Sequence, residues 1–198
     1  AMYACRTVPR RSCLSSQPKI STVNVDIDTV RHILSHLRDS AAGPDGLPAM
    51  FFRRLSHWLA VPLSIIYQQS VHQQCLPNEW RIAKVIPLYK GKGDRSDPSA
   101  YRAISLTSVA CKVLERIVVD QLRSFLTVNS LLCAQQHGFI SQRSALSNLL
   151  QCDSIIAHHL NSAIGCDVIL LDFAKAFDKV DHNILLTKLS LFGIEGSL

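Results

Sequence analysis

The residue with the clearest capacity for chemistry is Asp172, an aspartate that directly follows four apolar residues, 168–171. An apolar run of that length predicts a buried strand. A carboxylate at the end of a buried strand is costly unless it is paired or holds a cation. Sheet ends commonly bind ligands, and Mg²⁺ prefers hard oxygen donors. Asp172 is therefore a candidate magnesium ligand, and the alternative is an ordinary aspartate that caps the next turn.

Cationic side chains are concentrated in one segment. Residues 81–90, RIAKVIPLYK, alternate along two faces, and residues 101–106, YRAISL, form a second alternating run. Such alternation predicts an antiparallel hairpin whose strands are joined by the polar loop 91–99. Residues 81–102 hold six Lys and Arg against two Asp, which is +4 of the chain's formal charge of +6. Such a cluster can hold a triphosphate or a nucleic-acid backbone, and the alternative is a solvated surface.

Residues 170–189, LLDFAKAFDKVDHNILLTKL, resemble motif A of the reverse transcriptases of non-LTR (LINE-like) retrotransposons. The resemblance implies that Asp172 is a catalytic residue and metal ligand, and that the backbone carbonyl of Phe173 helps to hold the metal. It also implies that Phe177 lies under the sugar of the incoming nucleotide and excludes a 2′-hydroxyl, because a close-packed ring leaves no room for another oxygen. The alternative for Phe177 is a plain core ring.

Three further segments are similar to the fingers region of the same family. They are AAGPDGLP at 41–48, the long stretch WRIAKVIPLYKGKGDRSDPSAYRAISLTSVACKVLERIV at 80–118, and QQHGF at 135–139. The resemblance implies that Arg102 binds the triphosphate of the incoming nucleotide, with help from Lys84 or Lys90. Candidates for contact with nucleic acid are Lys92 and Arg95 from the basic segment and Gln136, Gly138 and Arg143 from the segment around QQHGF. The alternative for Arg143 is an exposed cation. Ala103 replaces the usual proline after the arginine, which restores a backbone N–H donor.

Helical spacing of apolar residues predicts most of the remaining elements. They are a helix from Asp26 or Asp28 to the turn at 41–46, helices over 48–59 and 62–74, a long helix over 108–126, a helix begun by Ser144 and reaching Leu160, and a helix begun by Asp181 and ended by Gly193. The predicted fold is α+β, mainly helical, with a short antiparallel hairpin and an incomplete palm sheet. This corresponds to the fingers and a partial palm of the right-hand polymerase fold.

The predicted domains are a disordered or cut lead-in at 1–25, a fingers region at 26–160, and the start of a truncated palm at 161–198. An incomplete sheet would leave an open edge and an exposed apolar face. Two-metal catalysis needs carboxylates on both sides of the metal pair. In this family the partner aspartates lie in an ADD box, and neither that box nor GxPQG occurs in these 198 residues.

The sequence therefore predicts a portion of an RNA-directed DNA polymerase, with Mg²⁺ as cofactor of the intact enzyme. Its partners would be an RNA template, a DNA primer, a deoxynucleoside triphosphate, and the C-terminal palm and thumb of a longer parent chain. The alternative is a catalytically inactive remnant that binds nucleic acid or has no function. An unrelated nucleoside triphosphatase would need GxxxxGK[ST], and a phosphatase would need D-x-D where residue 174 is alanine.

Composition bounds the cellular setting. Seven cysteines occur at irregular spacing with no CxxC pair, which indicates a reducing, intracellular compartment rather than a disulfide framework. No apolar run approaches 18 residues, so the sequence predicts no membrane span. The basic segment before residue 25 could imitate a transit peptide, but Pro9 and Pro18 interrupt any helix there.

Overall fold

The structure is a computed structural model that describes residues 18–163 and 165–196. Among these, residues 18–125 and 192–196 form one compact unit, here called the first unit. Residues 126–163 and 165–191 form the second unit. Most of the predicted lead-in, residues 1–17, lies outside the described residues. Val23 and Val25 were expected in that lead-in, but both are buried in the core of the first unit.

Eight helices and strands make up the regular structure of the described residues. They are α1 (Ile27–Ser35), α2 (Ala49–Arg54), α3 (Ser56–Gln73), β1 (Lys84–Tyr89), β2 (Tyr101–Leu106), α4 (Val109–Val128), α5 (Ala145–Asn161) and α6 (His182–Leu191). Short 3₁₀ turns at Asn78–Arg81 and Pro98–Ala100 precede the two strands. The described residues are thus mainly helical with one two-stranded antiparallel sheet, which confirms the α+β prediction at that level.

The start of α1 is set by Asp26, one of the two predicted caps. Its Oδ1 accepts the backbone N–H of Thr29 at 2.7 Å, and its Oδ2 accepts the Thr29 hydroxyl at 2.6 Å. These bonds satisfy a donor that the first turn would leave unpaired, and they lower the pKa of the Asp26 carboxyl. Val30, Ile33 and Leu34 then bury one face of the helix.

The predicted division into helices 48–59 and 62–74 is wrong. α2 ends at Arg54, and α3 begins at Ser56 and continues through Pro62. A proline inside a helix removes one hydrogen bond and strains the preceding turn. The buried face of α3, which includes Leu63 and Tyr67, packs in the core and offsets that cost.

The core of the first unit lies between α1, α3 and the first half of α4. Its most completely buried large side chains include Leu34, Tyr67, Val113 and Ile117. The Tyr67 hydroxyl donates to the carbonyl of Ala110 at 2.8 Å, so a polar group in this core is satisfied. Burial, the largest cause, raises the pKa of the Tyr67 phenol, and its hydroxyl therefore stays protonated.

Two close contacts between backbone segments lie at the edge of the first unit. A Cβ on Gly43 would lie 2.6 Å from the carbonyl oxygen of Thr107, so the turn at 43–46 packs directly on the connection between β2 and α4. Ile20 and Ile194 form a parallel bridge, with N–H···O distances of 2.9 Å on either side. The described ends of the chain therefore meet within this unit.

The hairpin is confirmed, with β2 covering the predicted residues 101–106. Its register pairs Lys84 with Leu106 and Tyr89 with Tyr101. β1 begins at Lys84 rather than at Arg81, because Asn78–Arg81 forms a 3₁₀ turn. Both strands are exposed or half-buried along their length.

The second unit departs most from the sequence prediction. Residues 168–171 do not form a strand, and Leu170 and Leu171 are 90% and 89% exposed. A strand needs a neighbour for its backbone groups, and the one sheet of the described residues is the hairpin of the first unit. The predicted incomplete palm sheet, with its open edge and exposed apolar face, is therefore not found among the described residues of this unit, whose helices α5 and α6 bury no side chain.

The helix starts of the second unit agree with the sequence. Ser144 accepts the backbone N–H of Ser147 at 3.2 Å and completes a capping box at the start of α5. Asp181 accepts the backbone N–H groups of Asn183 and Ile184 at 2.8 and 3.1 Å at the start of α6. Gly193 has φ +83°, as a glycine that ends a helix requires.

Candidate functional site

The hairpin places two candidate nucleotide-binding residues on the same face. Arg102 pairs with Leu88, and Lys84 pairs with Leu106. Directly opposed residues of an antiparallel pair share a face, and so do residues two and four apart along a strand. Arg102 and Lys84 are therefore on one face, separated by roughly 13 Å of strand length. Both are exposed, and this face is positively charged at both ends.

Two tyrosines at the end of the hairpin form hydrogen bonds to the backbone of the loop 91–99. Tyr89 and Tyr101 are cross-strand partners with ring centroids 5.5 Å apart. Tyr89 donates its hydroxyl to the carbonyl of Gly93 at 2.7 Å, and Tyr101 donates to that of Arg95 at 2.9 Å. The Arg95 guanidinium lies 5.3 Å from the Tyr89 ring centroid, a cation–π distance. Sequence reasoning missed both tyrosines, and their signal was an aromatic pair flanking a polar loop.

The two carboxylates of this loop shape its backbone. Asp94 accepts the N–H of Ser96 at 2.9 Å, and this bond lowers the pKa of its carboxyl. Asp97 accepts the hydroxyl and the N–H of Ser99 at 2.5 and 2.7 Å, which lower its pKa in that order of importance. Asx turns of this kind fix a loop locally.

The lysines of the loop differ in their surroundings. Lys90 Nζ donates to the carbonyl of Ser99 at 2.6 Å, so this ammonium closes the loop as well as carrying charge. Lys92 is exposed at the tip. The hairpin thus presents Lys84, Lys92, Arg95 and Arg102 from a structured support, an arrangement that suits phosphate groups.

In the second unit, residues 133–144 form a loop of turns before α5, here called the 133–144 loop. Arg143 closes it, because its guanidinium donates to the carbonyls of Ala134 and Gln136, the latter at 2.8 Å. Gln136 donates its amide to the carbonyl of Gly138 at 3.1 Å. A Cβ on Gly138 would meet nothing within 4 Å, so the backbone there is open to close approach by a ligand.

The residues of motif A lie on the surface of the same unit. Asp172 Oδ1 accepts the backbone N–H of Phe173 at 2.9 Å, and both residues are exposed. Phe177 is 78% exposed, so the alternative of a core ring is wrong. Its ring stands edge-on to that of Phe139, with centroids 6.1 Å apart. The structure therefore brings the 133–144 loop to Phe177.

The oxygen atoms at Asp172 and Phe173 are of the type that Mg²⁺ prefers. A carboxylate and a carbonyl are hard oxygen ligands, and Mg²⁺ is commonly bound by one or two carboxylates together with water and substrate phosphates. Within the described residues no three His, Cys, Asp or Glu side chains converge on a metal position. Asp181 caps α6 and so already has a structural role.

No helix in the described part of the chain is long and apolar enough to cross a membrane.

Residues 90–197 match the reverse transcriptase (RNA-dependent DNA polymerase) family. A probable RNA-directed DNA polymerase from transposon BS of Drosophila melanogaster is 28% identical over 126 residues, 64% of this chain and 14% of that protein. A putative 115 kDa protein of a type-1 retrotransposable element of the same organism is 30% identical over 160 residues, 76% of this chain and 14% of that protein. The RNA-directed DNA polymerase from its mobile element jockey is 25% identical, over 93% of this chain and 20% of that protein. The chain thus spans about a seventh to a fifth of the length of these relatives.

Proposed function

Because the chain belongs to the reverse transcriptase (RNA-dependent DNA polymerase) family, we propose that it is part of the RNA-directed DNA polymerase of a non-LTR retrotransposon. The family match covers more than half of the chain and includes Arg102, the 133–144 loop and Asp172. The relatives with this sequence similarity include proteins named as transposon RNA-directed DNA polymerases. In the proposed fold residues 26–160 belong to the fingers, and the residues from 161 onward belong to the start of a right-hand palm.

The observation that carries the proposal is the exposed basic face of the hairpin. Arg102 and Lys84 would hold the triphosphate of an incoming deoxynucleotide, with Lys90 supporting the loop beside them. Charge-assisted hydrogen bonds from such groups stabilise phosphate oxygens, and they do most where charge develops in the transition state. Lys92 and Arg95 would contact the backbone of the RNA template or the DNA primer.

The proposed metal-binding residues are Asp172 and the carbonyl of Phe173. Reverse transcriptases use divalent metal ions, and Mg²⁺ is our proposal for this chain. When bound, such an ion would activate the primer hydroxyl and stabilise charge on the transferred phosphate. The N–H of Phe173 donates a hydrogen bond to the carboxylate of Asp172 and so orients it. The bulk of the Phe177 ring would exclude a sugar that carries a 2′-hydroxyl. In this proposal the second carboxylate belongs to the C-terminal palm of a longer parent chain.

An inactive remnant that binds nucleic acid is the second candidate. The 198 residues contain no ADD box, and among the described residues no three His, Cys, Asp or Glu side chains converge on a metal position. The basic hairpin and the 133–144 loop do not depend on Asp172, so binding would persist without catalysis.

The first test measures Mg²⁺-dependent primer extension on an RNA template by the chain and by Asp172→Ala. We expect no extension from either, since one carboxylate does not complete a two-metal site. Extension by the chain that Asp172→Ala abolishes would place a complete catalytic site within these residues.

The second test separates nucleic-acid binding from no function. Binding of an RNA–DNA primer–template is followed by fluorescence anisotropy across salt concentrations. The slope of log K against log salt is negative for a cationic binder. Lys92→Ala is expected to reduce its magnitude by about 0.9, because one phosphate contact is lost. Arg123→Ala, which removes an exposed cation from α4, is the matched control and should leave the slope unchanged. Salt-independent or absent binding would refute the proposed contact with nucleic acid.

A further inference from the structure

The 133–144 loop is held in place without a hydrophobic core. It contains turns but no helix or strand, and the helix that follows it, α5, buries no side chain. Apolar burial is the usual reason that a loop keeps one conformation beside a helix. Hydrogen bonds must therefore supply the connection here.

His137 connects the loop to α5 through the two nitrogens of its ring. His137 Nδ1 lies 2.8 Å from the hydroxyl of Ser147, and Nε2 lies 2.7 Å from Oε1 of Gln151. Ser147 and Gln151 are four residues apart on α5, so they stand one above the other on the same face. The imidazole bridges that turn of the helix, with a side chain of α5 within hydrogen-bond distance of each ring nitrogen.

The bridge also reaches the start of the helix. Ser147 belongs to the capping box, and its hydroxyl lies 2.9 Å from the N–H and 2.8 Å from the carbonyl of Ser144. His137 is half-buried, while its neighbours Gln136 and Gly138 are exposed. The His137 ring therefore faces α5, while the neighbouring residues Gln136 and Gly138 face solvent.

The conformation of the loop needs such a restraint. Phe139 and Gln142 both have φ +62°, in the left-handed region that side chains other than glycine and asparagine rarely adopt. Residues held there persist only when the surrounding structure fixes them. Arg143 closes the loop internally, but that closure does not attach it to a helix. Beyond the capping box at Ser144, where the loop runs into α5, the side chain of His137 links the loop to the helix.

We infer that His137 is a positioning residue that fastens the 133–144 loop to α5 and thereby presents Gly138 and Arg143 to nucleic acid. This rests on the proposed function in one respect, that the loop contacts template or primer. The fastening itself depends only on the contacts of His137. An attached loop loses less conformational entropy when it binds, so affinity is higher.

The test compares His137→Ala with two conservative variants. His137→Asn and His137→Gln can each place an amide near the position of one ring nitrogen, so each retains one of the two bonds. The matched control is His158→Ala, which removes an exposed histidine of α5 that does not contact the loop. Two quantities are measured for each full-length chain: hydrogen exchange of residues 134–143, and affinity for an RNA–DNA primer–template.

We expect His137→Ala to speed exchange in the loop and to weaken binding about tenfold, in line with the loss of two hydrogen bonds. The Asn and Gln variants should recover part of both effects, which a purely steric role of the ring would not predict. His158→Ala should match the parent chain, and so should the exchange rates of α3 and α4 in every variant.

Unchanged loop exchange in His137→Ala would overturn the fastening. Faster exchange with unchanged affinity would overturn the role in presenting the loop to nucleic acid. A parent chain that binds no primer–template would overturn the proposed function and that role together, and the exchange rates would still decide whether His137 fastens the loop.

Discussion

Replacement of Gly43 by alanine tests how the first unit is assembled. The added Cβ would lie 2.6 Å from the carbonyl oxygen of Thr107, 2.7 Å from its carbonyl carbon and 2.8 Å from Cα of Ser108. All three are backbone atoms at the junction of β2 and α4, so no flexible side chain can move aside. The turn and the junction must separate.

Two opposing effects decide the size of the change. Alanine in place of glycine reduces the entropy of the unfolded chain, which stabilises the fold by about 0.4–1 kcal/mol where the space allows it. Forcing a methyl group into close-packed surroundings costs about 1–3 kcal/mol, and the rigid contacts here favour the upper end. The clash wins, and we expect the free energy of unfolding to fall by about 2 kcal/mol.

Urea denaturation followed by circular dichroism measures this change. Gly165→Ala is the control, because a Cβ there meets nothing within 4 Å and φ is not in the left-handed region. It should be neutral or slightly stabilising. If Gly43→Ala unfolds at the same urea concentration as the parent chain, the close packing of the turn on the β2–α4 junction is refuted.

Two further predictions concern single polar groups. Tyr67→Phe removes the buried hydrogen bond to Ala110 while keeping the ring, so it should lower the unfolding free energy by about 1 kcal/mol in the same assay; no change would show that the bond does not contribute. The hairpin loop should loosen in acid, since hydrogen bonds from Ser99 hold the pKa of Asp97 below its unfolded value. That stabilisation is present above the ordinary aspartate pKa and is lost as pH falls through the lowered value, which an NMR titration of the Ser99 amide would follow; an amide that moves only near neutral pH would contradict it.

Local chemistry explains which elements the sequence could predict. The caps Asp26, Ser144 and Asp181 act on backbone groups two or three residues away, so the necessary information lies in a few neighbouring positions. The hairpin was predictable for a similar reason, because alternation and a polar loop between two runs specify both strands. Such features depend on nothing distant in the chain.

Elements that depend on distant partners were not predictable. The continuation of α3 through Pro62 depends on packing of its buried face, which local propensity does not contain. The apolar run 168–171 specified a hydrophobic surface but not the neighbouring strand that it would need. The roles of Tyr89, Tyr101 and His137 rest on hydrogen bonds across a loop or to a helix, and only the folded geometry shows them.

The distribution of burial has a consequence for the chemistry of Asp172. The first unit contains the core, while Ile169, Leu170 and Leu171 immediately before Asp172 are each at least 80% exposed. Burying three such side chains is worth roughly 5–9 kcal/mol before the costs of association are subtracted. A polypeptide surface that covered this segment would therefore also fix the backbone that carries Asp172. The hairpin, the 133–144 loop and the caps are formed already, so what remains to be fixed is the position of the carboxylate relative to a second acid.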